Sequence, residues 1–137
     1  MSYAMAAPLQ EAVYQHLATD AGLAALVGGA IYDALPAGPV PETYVSLGPE
    51  EVRDSSDRSG AGAVHRFTVS VVSEAEGFVA VKAVAAAVGA ALSDPGLVLS
   101  RGRVVGIWFE RASARRTGRA GHVRRIDLRF RARVEDN

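Results

Sequence analysis

The chain has 137 residues, 49% of them apolar and 22% charged, with no cysteine and a formal net charge of zero. These values fit one globular domain that buries its own core, and they exclude disulfide staples, thiolate zinc sites and a cysteine nucleophile. The neutral total is a cancellation: residues 1–99 hold 4 Lys+Arg against 11 Asp+Glu, and residues 100–137 hold 11 against 4.

At the N-terminus, Met1–Ala7 contains no Lys or Arg and is followed at once by Gln10 and Glu11, which is unlike a signal peptide. Pro8 suits a first helical turn, and Leu9, Val13, His16 and Leu17 recur at helical spacing, so a helix is predicted over about 8–18. Thr19 or Asp20 can cap a second short helix carrying Leu23, Leu26 and Val27, and Gly28-Gly29 stops it. The chain then extends through Ile31 and Tyr32 into Pro36, Pro39 and Pro41, a spacing that excludes a helix.

Thr43–Gly48 alternates, with Val45 and Leu47 on one face and Tyr44 and Ser46 on the other, which predicts a strand. Residues 49–63 are rich in Glu, Asp, Ser, Arg and Gly and read as a long mobile loop. Alternation resumes over Val64–Ser73, with Phe67, Val69 and Val71 on one side. Ser73 and Glu76 have the spacing of a capping box, and Phe78, Val81, Ala85, Val88 and Leu92 mark a stripe, so the main helix is expected over about 74–92. Its apolar run, Phe78–Leu92, contains Lys82 and falls short of the roughly 20 apolar residues that a membrane span needs.

Asp94-Pro95-Gly96 ends the helix and a second β unit follows. Over Val104–Arg111, Val105, Ile107 and Phe109 face one way and Val104, Trp108 and Glu110 the other. Residues 112–122, with Arg, Ser, Gly and Ala, read as a flexible hairpin tip. Val123–Val134 then sets Ile126, Leu128, Phe130, Ala132 and Val134 against Arg125, Asp127, Arg129, Arg131 and Arg133, a core face backed by a row of guanidinium groups. The expected class is α+β: a mainly antiparallel sheet of about four strands, with one long helix and an N-terminal helix packed on it.

No catalytic constellation emerges. His16, His65 and His122 fall on a helix, a strand edge and a loop tip with no ligand spacing between them. Glu50, Glu51, Asp54 and Asp57 lack the ligand order of a calcium loop, and Gly60-Ala61-Gly62 precedes a strand instead of joining a strand to a helix. No catalytic, cofactor-binding or metal-binding residue is therefore assigned.

The arginines carry the sharper signal. Arg111, Arg115, Arg116, Arg119, Arg124 and Arg125 bracket the hairpin tip and suit phosphates or a partner's carboxylates. The arm lacks interleaved aromatics for base stacking, whereas the acidic first two-thirds offer a complement on another copy of the chain. Trp108, opposite the apolar side of its strand, either anchors an interface or covers the second face locally. The expected interface set is Trp108, Arg111, Arg115, Arg116, Arg119, Arg125, Arg129, Arg131 and Arg133, with Glu50, Glu51, Asp54 and Asp57 as the acidic counterpart.

Several ordered segments carry a resemblance. Leu9-Gln10-Glu11-Ala12-Val13-Tyr14, Leu17, Asp20-Ala21-Gly22-Leu23, Leu26-Val27-Gly28-Gly29, Ile31-Tyr32-Asp33, Pro41 and Tyr44-Val45-Ser46-Leu47-Gly48 resemble the tail-completion or tail-terminator proteins of long-tailed phages, prophages and gene transfer agents. The likeness runs on through Phe67-Thr68-Val69 and the helix Phe78–Leu92. It implies a non-enzymatic α+β domain spanning 1–137, a subunit of a hexameric ring that caps the head-proximal end of the tail tube and meets the neck. The implied partners are further copies of the chain, the tail tube protein and a neck or head–tail connector protein. DNA would pass through the lumen without sequence-specific binding, and no membrane or cofactor is involved. The implied location is the tail or neck of a virion or gene-transfer-agent particle made in the bacterial cytoplasm. The competing reading from the residues is a small nucleic-acid-binding domain that uses the Arg-rich hairpin.

Overall fold

The computed structural model describes residues 3–56 and 60–136. In chain order the elements are α1 (Ala6–Ala18), α2 (Ala21–Val27), β1 (Ile31–Tyr32), β2 (Thr43–Asp54), β3 (Gly62–Ser73), α3 (Val79–Ala91), β4 (Arg103–Thr117) and β5 (Val123–Glu135). The strands form one sheet in the order β1-β2-β3-β5-β4. Every neighbouring pair is antiparallel except β1 and β2, which run parallel through Ile31↔Val45 and Tyr32↔Ser46. The α+β class holds, with a fifth strand added. Two residues are too few to show alternation in sequence, yet Ile31 is buried and closes the sheet edge.

The helices cover one face of the sheet. Strict alternation sends Phe67, Val69 and Val71 of β3 and Ile126, Leu128, Phe130, Ala132 and Val134 of β5 into a single core. Leu9, Val13 and Leu17 of α1, Leu23 of α2 and Val81, Val84 and Val88 of α3 meet them from above. Phe130 stands at the centre, stacked on Phe67 at 5.5 Å and met edge-on by Phe109 at 5.9 Å. Truncating so buried an aromatic costs about 3–5 kcal/mol.

The helix ends follow local chemistry, with one correction. The Asp20 side chain accepts a bond from the Leu23 N–H at 3.0 Å, and Gly28, at φ 60°, ends α2. The capping box expected at Ser73 and Glu76 does not form. Ser73 still belongs to β3, where its hydroxyl shares a 2.7 Å hydrogen bond with Thr43 and accepts from the Ala75 N–H at 3.0 Å. Gly77 then turns at φ 74°, and α3 begins only at Val79, with no side-chain cap from Phe78.

The two loops expected over 49–63 and 112–122 are largely strand. After a bulge between Leu47 and Glu50, β2 continues to Asp54 against β3, which itself starts at Gly62. Likewise β4 runs to Thr117, and Arg111–Thr117 pair step by step with Arg129–Val123. These segments lack large apolar side chains, but an edge strand needs only its backbone ladder, one half-covered face and charged stems on the other. The remaining tip turns through Gly118, Ala120 and Gly121, all at positive φ.

Two further bulges, between Val104 and Gly106 and between Phe109 and Arg111, break the simple alternation expected for β4. Val104 therefore faces the helix side opposite Val134, not the side of Trp108. Val105 becomes the extra residue and is exposed. Just before β4, Gly102 sits at φ 78°, and a side chain there would meet the Glu135 carbonyl at 2.6 Å.

Candidate functional site

The helix-free face of the sheet is a field of arginines. Pairing register places Arg66, Arg103, Arg111, Arg115, Arg125, Arg129, Arg131 and Arg133 there, with Glu110, Asp127 and Glu135 among them. The expected alternation of β5 is thus observed. The arginines are not all free, however. Glu110 binds Arg66 at 3.3 Å and Arg129 at 3.6 Å, and Asp127 binds Arg125 at 3.0 Å and Arg115 at 3.4 Å. Arg133 donates to the Ser55 carbonyl at 2.9 Å and lies 3.6 Å from Glu135. Arg131 lies over the Trp108 ring at 4.9 Å, a cation–π contact on this same face.

What remains is a face with excess positive charge whose guanidinium groups are held in place by interspersed carboxylates. Arg111 is also on this face, opposite Arg129, while Arg116 projects to the helix side opposite Arg124 and Arg119 sits in the exposed hairpin turn. The alternating strand therefore divides the predicted arginine set between two faces and a tip.

The predicted acidic counterpart is divided by the same rule. Glu50 and Asp54 are in register with Phe67 and Ala63 on the helix side, and Glu51 is in register with Arg66 on the other. Glu50 accepts a hydrogen bond from the Tyr3 hydroxyl, Glu51 pairs with Arg53 at 3.1 Å, and Asp54 accepts from Ser56 at 2.7 Å. Asp57 lies outside the described residues.

The histidines do not converge. His16 contacts the Ala91 carbonyl at 2.7 Å, His122 bonds the Arg119 carbonyl and lies 3.5 Å from Glu74, and His65 is fully buried in β3. Neither ring nitrogen of His65 has a hydrogen-bond partner among the described residues. Burial lowers its pKa below the ordinary 6.5, and the nearby Glu50 carboxylate opposes that shift only in part. Among the described residues no group of three or more His, Asp or Glu is placed to hold a metal, and no helix is long and apolar enough to cross a membrane.

Two apolar surfaces escaped the sequence reading. A groove between α3 and β4 is lined by Lys82, Ala86 and Gly89 on the helix and Phe109, Ala112 and Ala114 on the strand. Phe109 shares its side of β4 with the buried Ile107, yet it is 57% exposed because α3 covers β3 and β5 and stops short of β4. At the opposite edge of the sheet, the Pro-punctuated connection from β1 to β2 leaves Leu35 and Val40 exposed. The available signal was the spacing of Ala112 and Ala114, small residues that cannot fill the space beside a helix.

The described residues thus present a small α+β domain whose surfaces are a charged sheet face and an apolar groove. The sequence model described as Tail completion protein gp17 matches residues 11–135. The chain belongs to this tail completion protein family. It is also similar to a chain in the solved structure described as the virion of a native gene transfer agent (GTA) particle. The two are 63% identical, with a TM-score of 0.92 over 98% of this chain and 99% of that one. Comparison with curated proteins gives no match.

Proposed function

We propose that this chain is a ring-forming tail terminator, a structural component of a gene-transfer-agent or phage-like particle that caps the head-proximal end of the tail tube and joins it to the neck. The observation that carries this reading is the near full-length likeness to a chain of the gene transfer agent virion, at 63% identity. The surfaces support it. The sheet has unlike edges, the short β1 at one end and the long β4 at the other, and contacts between unlike edges build rings when the rotation closes.

On this reading the chain works by binding and not by catalysis. Its partners are further copies of itself in a hexameric ring, the tail tube protein and the neck or connector protein, while DNA passes through the lumen. The predicted interface residues Trp108, Arg111, Arg115, Arg116 and Arg119 stay on exposed surface, as such contacts require. The carboxylates Glu110 and Asp127 within the arginine face disfavour the nucleic-acid reading, since each would repel a phosphate brought up to its neighbours.

Deleting the gene tests the proposal through tail length. Without a terminator, particles should show tails of uncontrolled length and heads that fail to join them. Tails of normal length on normally joined heads would contradict it.

A further inference from the structure

We infer that neighbouring copies of this chain meet through a loop-in-groove contact: the 33–42 connection of one copy seats in the α3–β4 groove of the next. This inference rests on the ring reading above and specifies its subunit contact. The groove is apolar at its base, where Ala86, Gly89, Ala112 and Ala114 leave room beside the exposed Phe109 ring. Beside the exposed Phe109 ring, this small apolar strip is shaped to receive an apolar side chain.

The loop has the matching properties. It presents Leu35 and Val40 to solvent, and Pro36, Pro39 and Pro41 restrict its backbone, so docking it loses little conformational entropy. Its charges also complement the groove. Residues 33–42 carry Asp33 and Glu42 with no Lys or Arg, whereas Lys82 lines the groove and Arg116 projects from the same face of β4. Opposite charges at the rim fix the orientation of an apolar contact.

The arrangement also disfavours the simplest alternative for the β4 edge, pairing with β4 of another copy across a two-fold axis. That pairing would bring two strands that each carry Arg103, Arg111, Arg115 and Arg116 edge to edge, like charge beside like charge, and both β4 bulges would interrupt the ladder. The loop and the groove lie at opposite edges of the five-stranded sheet, roughly 19 Å apart at ~4.8 Å per strand spacing. A single chain therefore cannot satisfy its own groove. Each copy offers one loop and one groove, which makes the contact head-to-tail.

The absence of native cysteine allows a direct test. Particles carrying A37C together with A112C, two exposed positions, are treated with a short bis-maleimide. The expected result is a ladder of covalent multiples of the 14.3 kDa chain, with neither single variant linking beyond a dimer. A ring of this subunit visible by electron microscopy in the same particles without a ladder would overturn the loop-in-groove contact and leave the ring reading standing. Particles containing the chain without a ring would overturn both. Should the double variant fail to assemble, L35D separates folding from contact: the inference predicts a folded chain by circular dichroism that no longer forms rings. Rings of L35D equal to those of the parent chain would overturn it.

Discussion

His65 shows how alternation can bury a titratable ring without serving it. Its position in β3 points it to the same side as Phe67 and Val69, where neither nitrogen finds a hydrogen-bond partner among the described residues. A buried neutral imidazole is the tolerable form, so folding holds the pKa below 6.5 while the unfolded chain titrates normally. Between those two values the unfolded chain binds more protons than the folded one. Stability should therefore be full above pH 6.5 and fall as the pH drops from 6.5 toward the lowered value. Thermal melts at pH 8 and pH 5.5 would show the loss, and H65L should flatten it while adding about 1 kcal/mol at neutral pH by removing an unsatisfied polar group. An equal pH dependence in parent and variant would assign the effect to other groups.

At the scale of elements, caps separate the chemistry that operates from the chemistry that only looks possible. Asp20 caps α2 through Leu23, so D20A should cost about 1 kcal/mol, whereas E76A, at the capping box that does not form, should stay within about 0.5 kcal/mol. Chemical denaturation of the two variants side by side would decide this. The contrast also shows what was legible in the sequence. Strands with a fully apolar face, such as Ile126 to Val134, could be read residue by residue because one face is core. The ends of β2 and β4 could not, since Glu50–Asp54 and Arg111–Thr117 are held by backbone pairing to strands distant in sequence, which leaves no local apolar signal. Equally illegible was the exposure of Val105, the extra residue of a bulge, and of Phe109, which α3 stops short of covering. The arginine face was visible in the pattern, but its pairing with Glu110 and Asp127 depends on the strand register.

For the whole molecule, the cancellation of charge along the sequence becomes a separation between surfaces. The helix-free face keeps most of the arginines, with Glu110, Asp127 and Glu135 among them, and the described acidic residues of the first two-thirds lie mainly in the loops and on β2. Among the described residues no ion pair engages Arg111 or Arg116, so R111E with R116E should leave the fold intact and hinder assembly, read as a normal melting curve with loss of rings. Unchanged assembly would remove these arginines from the interface. The central claim is that copies of this chain close into a ring at the head-proximal end of a tail. An electron-microscopy map of the particle's head–tail joint, with side chains placed, tests it most directly. The map should show a closed ring of this chain between tail tube and neck, with Leu35 of each copy against Ala112 of the next. A chain found elsewhere in the particle, or present there without a ring, would contradict the account.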